Sequence, residues 1–331
     1  MRDLTIGGND ADQRLDRFMR KYLPKAPITL IHKYIRTKKI KVNRTRVEPN
    51  HLLKEGDIVN LFIYDEVLDQ YRPKTPIRKG RGIPMELIYE DDQILIAYKP
   101  KGMLTHPASA ADYGKTLQDG LLEYLIQKGD YVPRVEKTFV PAFAHRLDRN
   151  TSGLLIGCKS HESLQQVNAA IQARRIQRKY RTIVHGELKE RTYIDASLRK
   201  IEDKNQMLLS VEEGAKEALS IAKPIYSNGR YTLVVVEIIT GRTHQIRIHL
   251  AAMGHPLIGD TKYGSRSKDR NLPGQIELNH QYLISDYIRL GGLEGSLSEL
   301  NGKVFRLSSS YFDRSLEESL LGGVYEDHSF E

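Results

Sequence analysis

The densest run of reactive side chains is residues 145–153, HRLDRNTSG. One carboxylate, Asp148, stands there among Arg146, Arg149 and Thr151, between Pro141-Ala142-Phe143-Ala144 and the strand-like LLIGC. A carboxylate so placed can act as a nucleophile. It also has a plainer use: capping a helix, or accepting from the amides of Thr151 and Ser152 in an Asx turn. His145, His244 and His249 add a third reading, a metal site shared with Asp148. Hydrolysis of a nucleoside or base is poorly served, since activating water asks for a second carboxylate or a metal and no such cluster stands out. The chain has no phosphate loop, no dinucleotide fingerprint and no cysteine cluster. Its one cysteine, Cys158, lies in LLIGC, the setting of a buried and inert thiol. A four-cysteine zinc site is excluded.

The string HRLDRNTSG meets every fixed position of H-R-L-D-x-x-T-S-G, the signature of the RluA-type pseudouridine synthases, and the chain resembles that family. Three more segments agree in family order. YKPKGMLTHPA, residues 98–108, carries the K-P-x-G turn and a later His-Pro. KYRTIVHG, residues 179–186, carries the family tyrosine at Tyr180, and TGRTHQIRIHLAAMGHPLIGDTKYG spans residues 240–264. The resemblance runs from about residue 85 to 290. It departs where many members read Arg-Gln-x-Leu-His-x. Here the segment is Asn279-His280-Gln281-Tyr282-Leu283-Ile284, which puts Ile284 at the histidine position, and the family's proline-rich ending is absent.

The resemblance implies an isomerase that breaks the uridine N-glycosidic bond, turns the uracil and joins C5 to the sugar. It makes Asp148 the nucleophile, whether toward sugar or base or by removing a sugar proton. It makes Arg247, in HQIRIH, the cation paired with that carboxylate across 99 positions. A guanidinium suits this place because it stays charged when buried. Tyr180 is implied to stack on the uracil and take the C5 proton. Arg146 is implied to enter the RNA where the target base has been turned out, a flip costing a few kcal/mol. The histidines become scaffold, and neither metal nor cofactor is expected. A non-catalytic RNA-binding or ribosome-assembly factor on the same scaffold is the alternative; the presence of Asp148, Tyr180 and Arg247 speaks against it.

The elements that must position these residues can be read from periodicity. Strand-like runs (MELIYE and QILIAYK, LLIGCK, KYRTIVHGEL, YTLVVVEII) alternate with helical ones (TLQDGLLEYLIQK, HESLQQVNAAIQARR, THQIRIHLAAMG). There is no strict βαβ succession, so the spacing predicts an α+β fold. The resemblance implies a mixed, mainly antiparallel sheet over residues 85–331. The closing stretch from Ser296 carries little pattern, and its end reads as disordered.

Charge divides the chain. It has 51 Lys+Arg against 42 Asp+Glu, a net of +9. Residues 1–84 hold 19 of those basic and 10 of those acidic residues, so the whole excess lies there and the remainder is neutral. Such a module suits an acidic partner. Leu15, Phe18, Met19 and Tyr22 form one helical stripe, and Leu30, Ile31, Tyr34 and Ile35 a second opened by Pro27. TKKIKVNRTRV then reads as a hairpin around Asn43-Arg44, and IVNLFIY as a strand. Residues 12–64 resemble the S-four-type RNA-binding domain, a small α/β module that residues 1–64 are expected to form. Lys33, Arg36, Lys38, Lys39, Lys41, Arg44 and Arg46 are its candidate phosphate contacts. Residues 65–84, with three prolines, read as a basic linker.

The resulting expectation is a cytoplasmic, monomeric enzyme acting on RNA, ribosomal RNA of the large subunit above transfer RNA. No apolar run approaches the roughly 20 residues of a membrane span.

Overall fold

The computed structural model describes residues 1–72, 82–133, 138–200, 207–210, 214–270, 272–273, 276 and 278–322. The N-terminal unit runs β1 (Arg2–Thr5), α1 (Leu15–Tyr22), α2 (Ile28–Arg36), β2 (Ile40–Val42), β3 (Ile58–Leu61) and α3 (Asp65–Tyr71). Its strands form an antiparallel sheet in the order β1-β3-β2. The stripe Leu15, Phe18, Met19 and Tyr22 is buried with Ile31 and Ile35 in one core, while Leu30 and Tyr34 are half-buried at its margin.

Two expectations for this unit need correction. The hairpin is only a turn: an isolated bridge, Val42 to Thr45, closes it, and β2 pairs with the later β3 instead. Asn43 and Arg44 both have positive φ, 50° and 62°, as a type I′ turn demands. Residues 65–72 are not linker. Asp65 and Glu66 open α3, Leu68 completes the unit's core, and Arg72 turns extended before Pro73, as residues preceding proline do. The rest of the expected linker, 73–81, lies outside the described residues.

The second unit follows as β4 (Glu86–Glu90), β5 (Ile94–Lys99), α4 (Leu117–Lys128), β6 (Ala142–Phe143), β7 (Ser152–Cys158), α5 (His161–Gln172) and β8 (Gln177–His185). It continues with β9 (Thr192–Lys200), β10 (Met207–Leu209), β11 (Lys216–Ser227), β12 (Tyr231–Ile238), α6 (Gln245–Ala252) and α7 (Arg266–Asp269). β13 (Leu283–Arg289), β14 (Val304–Arg306) and α8 (Arg314–Leu321) end it. One large sheet has the order β10-β9-β11-β12-β8-β13-β7-β5-β4, with β14 on β13 and β6 on β7. Of these pairs, β13 with β7 is parallel and the others are antiparallel. This is the mixed, mainly antiparallel α+β architecture expected.

Alternation along the strands sends side chains to two cores. Ile94 and Ile96 face the helices α5 and α8, while Leu95 and Ala97 face α4 and α6. Cys158 is buried, and burial pushes its thiol up to about 12. No helix among the described residues is long and apolar enough to cross a membrane.

The closing stretch is more structured than its sequence suggests. α8 drives Glu317 fully under the sheet, where it accepts from Arg181 Nε at 2.7 Å and Nη2 at 3.1 Å, and from Tyr282 Oη at 2.7 Å. The expected disorder at the very end, 323–331, lies outside the described residues. The N-terminal unit is docked on the second by polar contacts. Asp10 Oδ1 accepts from the Thr138 amide at 2.8 Å and its hydroxyl at 2.5 Å, and Asn9 Oδ1 accepts from the amide of His161, the first residue of α5, at 3.0 Å.

Candidate active site

A cavity of about 400 Å³ opens where the loop between β6 and β7 meets β8 and the start of α6. Asp148, Tyr180 and Arg247 all line it, with Arg146 at its mouth. Residues separated by as much as 99 positions are thus brought to one hollow.

The loop carrying Asp148 is pinned by backbone, not by the carboxylate. The Thr151 amide donates to the backbone carbonyl of Asp148 at 3.1 Å, and Ser152 then enters β7. Asp148 therefore neither closes an Asx turn nor caps a helix. The K-P-x-G segment braces the loop from below. Gly102 N donates to Arg149 O at 2.9 Å, and Thr105 Oγ1 bridges the amide and carbonyl of Leu147 at 3.1 and 3.2 Å. Lys99 is fully buried and gives its ammonium to the carbonyls of Pro100, Met103 and Arg149 at 3.0, 2.8 and 3.0 Å. Burial lowers it to about 7, against the pull of Asp148. On the other side the parallel strand β13 passes so close that a Cβ on Gly153 would lie 2.1 Å from Ser285 O. Gly153 also has φ +121°, so both space and backbone exclude a side chain there.

The carboxylate of Asp148 instead faces two groups at the N-terminal end of α6. Arg247 Nη1 donates to its Oδ2 at 3.4 Å, and His244 Nε2 lies 3.9 Å away. Arg247 has a stronger partner that sequence reasoning missed. Its Nε and Nη2 donate to the two oxygens of Asp260 at 2.7 and 2.8 Å, the fork geometry of a bidentate pair. Asp260 is buried and also accepts from the amides of Lys262 and Tyr263 at 2.9 and 3.0 Å. Burial alone would discharge both partners; each holds the other ionised, raising Arg247 and lowering Asp260. Asp260 lies inside the third family segment, but nothing in its spacing tells a partner of Arg247 from a turn residue. Gly259, at φ +69° and with a Cβ position 2.3 Å from His280 O, turns the chain tightly enough to aim it.

His244 immediately precedes α6, with φ 57°, and bonds Tyr263 Oη through Nδ1 at 2.8 Å. Burial lowers it to about 4, so it is neutral near pH 7. His145 takes the Ile156 amide on Nε2 at 3.3 Å, and burial with Arg178 nearby lowers it to about 3. His249 contacts Ser220 Oγ at 3.1 Å. Among the described residues, no group of three His, Cys, Asp or Glu side chains is arranged to hold a metal ion.

Tyr180 is buried, on the face of β8 turned to α6. Burial raises its phenol above the ordinary value, so near neutral pH it is a hydroxyl and not a phenolate. That state suits stacking and hydrogen bonding better than proton abstraction. The basic side chains of the N-terminal unit are outward: Lys33, Arg36, Lys38, Lys39, Arg44 and Arg46 are exposed and Lys41 is half-buried. Lys33, Arg36 and Arg46 converge on a second cavity of about 390 Å³, between α2 and the segment Val47-Glu48-Pro49. Lys39 and Lys41 lie over the rings of Tyr34 and Phe62, 5.6 and 5.2 Å from their centroids.

Comparison with known proteins decides the family. Residues 93–252 match the RNA pseudouridylate synthase family. The chain is 31% identical over 288 residues to the ribosomal large subunit pseudouridine synthase C of Buchnera aphidicola subsp. Baizongia pistaciae, covering 86% of this chain and 88% of that one. The chain belongs to the pseudouridine synthase family. Synthase C of Vibrio vulnificus is 32% identical, with 86% and 87% covered, and that of Haemophilus influenzae 30%, with 93% and 90%. Among solved structures, human RNA pseudouridylate synthase domain containing 4 shares the fold, with a TM-score of 0.52 at 19% identity over 71% of this chain and 91% of that one. This pseudouridine synthase is an isomerase that acts on uridine in RNA.

Proposed function

We propose that the protein converts uridines of large-subunit ribosomal RNA to pseudouridine, with Asp148 as nucleophile, as an RluA-type synthase. The observation that carries this reading is the carboxylate of Asp148, relieved of any turn duty, facing the cavity beside Arg247. An ionised carboxylate so positioned can attack the sugar or base. Arg247, locked by Asp260, is a preorganised cation beside it and needs no movement to stabilise charge there. Tyr180 offers the turned-out uracil an aromatic face, and Arg146 at the mouth fills the gap left in the RNA.

The bacterial relatives, ribosomal large subunit pseudouridine synthases, support the ribosomal substrate. The N-terminal unit, residues 1–64 in our reading, is an S-four-type module that grips phosphates through Lys33, Arg36, Lys38, Lys39, Lys41, Arg44 and Arg46. We place the catalytic domain at 85–331 and read the enzyme as a cytoplasmic monomer, since one chain supplies every residue named. Pseudouridine mapping of total RNA from cells with and without the protein tests the reading. Loss of one or more sites in large-subunit ribosomal RNA is expected; an unchanged ribosomal map with loss confined to transfer RNA refutes the substrate.

A further inference from the structure

One cation in the active-site cavity has no partner among the described residues. Arg178, on β8 two residues before Tyr180, is 4% exposed and lines the cavity. No described residue forms a hydrogen bond or ion pair with its guanidinium, and Nε is buried without a partner. The other buried arginines among the described residues are paired: Arg181 with Glu317, Arg247 with Asp260. A lone buried guanidinium is costly, and burial pulls Arg178 below its ordinary value. Gly241, also on the cavity lining, lies across from its tip: a Cβ there would stand in ordinary contact, 3.5 Å from Nη1 and 3.7 Å from Nη2. Beside it, His145 has its Nδ1 buried and unpartnered. Because His145 Nε2 accepts from Ile156, the neutral ring carries its hydrogen on Nδ1, a second unpartnered donor on a residue of the cavity lining.

What the reaction places there follows from its electron balance. When the C1′–N1 bond breaks, the pair leaves with the base, as an anion spread over N1, O2 and O4, while Asp148 meets the deficiency at C1′. Rejoining reverses this: C5 bonds to C1′, the carboxylate oxygen departs, C5 loses its proton and N1 gains one. Between the two steps the base is detached, negative and must turn without escaping.

We propose that Arg178 is a catalytic residue whose guanidinium binds the uracil anion and holds the detached base while it turns. The inference rests on the reading of Asp148 as nucleophile. A phosphate is the poorer occupant. Phosphates stay near solvent, and the exposed Arg146 and Arg174 and the half-buried Arg242 already line the cavity for them. Donors aimed at charge that exists only during the reaction contribute to rate and not to affinity.

The test uses the full chain with Arg178→Met, Arg178→Lys and Asp148→Asn on an unmodified large-subunit ribosomal RNA transcript. A second transcript carries 5-fluorouridine, whose uracil anion is already stabilised by fluorine, and loss of the modified nucleoside is followed at single turnover. Arg178→Met is expected to slow the uridine reaction by about 100- to 1000-fold, the usual loss for one such donor. RNA affinity should stay within threefold, and the defect should shrink at least tenfold with 5-fluorouridine. Lysine at the position should retain an intermediate rate. The melting temperature of Arg178→Met should be unchanged or higher, because an unpaired buried charge has been removed. A lower melting temperature with normal turnover per folded molecule would show a structural role. Weakened affinity with a shallower salt dependence would show a phosphate anchor. Equal defects on both transcripts would exclude the anion. Each of these outcomes overturns the proposal while Asp148→Asn stays inactive; an active Asp148→Asn overturns the reading beneath it.

Discussion

Arg247 grips Asp260 with two hydrogen bonds, 2.7 and 2.8 Å long, and reaches Asp148 with one at 3.4 Å. The arginine is therefore aimed by a second carboxylate, which leaves the proposed nucleophile only lightly held and free to react.

Asp260→Asn should separate these duties. The buried guanidinium loses its main counter-charge, a change that typically costs about 3–5 kcal/mol of stability. Activity should fall on the order of 100-fold as Arg247 swings from its place, the scale expected for about 1 Å of misplacement. Denaturant unfolding and single-turnover rates measure the two effects. Wild-type rates in a folded Asp260→Asn protein would show that the clamp has no part in catalysis.

Glu317 supplies the contrasting case. It and Arg181 are both fully buried and lie across the sheet from the cavity, bonded to each other and to Tyr282. Glu317→Ala should destabilise the fold by about 3–5 kcal/mol, because the buried Arg181 loses its carboxylate counter-charge. Turnover per folded molecule should hold. Loss of activity at unchanged stability would place α8 in the chemistry instead.

These two carboxylates also mark the limit of what the sequence discloses. Asp148, Tyr180 and Arg247 are legible because their motifs are local strings, and short runs rich in apolar and β-branched residues expose β5, β7, β8 and β12. Asp260 and Glu317 are single acidic residues whose meaning is a partner 13 or 136 positions away. Nothing local distinguishes them from solvated charges. β9 and β11 escape a reading by pattern because their alternation mixes polar and apolar residues on a partly exposed edge of the sheet. α3 hides among the prolines that follow it, and the hairpin reading fails because β2 finds its partner 16 residues beyond its own end, in β3.

Acid should destabilise the protein above the range in which carboxylates titrate. His145 and His244 are lowered to about 3 and about 4 in the fold, chiefly by burial. In the unfolded chain each takes a proton near about 6.5. The unfolded state then binds more protons, so stability is full above that value and falls as pH drops through it toward the folded values. Unfolding free energy should decline from pH 6.5 to 5, and His145→Gln should flatten that slope. Identical slopes for both proteins would mean His145 is not held neutral.

The N-terminal cations give a salt test. In the full chain, Lys33, Arg36 and Arg46 converted together to alanine should weaken binding to a ribosomal RNA transcript. The slope of log K against log salt should drop by about 0.7–0.9 for each phosphate that is no longer neutralised. An unchanged slope would make the cavity between α2 and Val47-Glu48-Pro49 an ordinary solvated surface.

The role of Asp148 is tested most directly by one substitution. Asp148→Asn is nearly isosteric, and the Thr151 bond that shapes the loop uses the backbone and survives it. The amide is no nucleophile. Pseudouridine formation on an unmodified large-subunit ribosomal RNA transcript should be undetectable in the purified variant, with RNA affinity within a few-fold of wild type. Turnover approaching the wild-type rate would contradict the account.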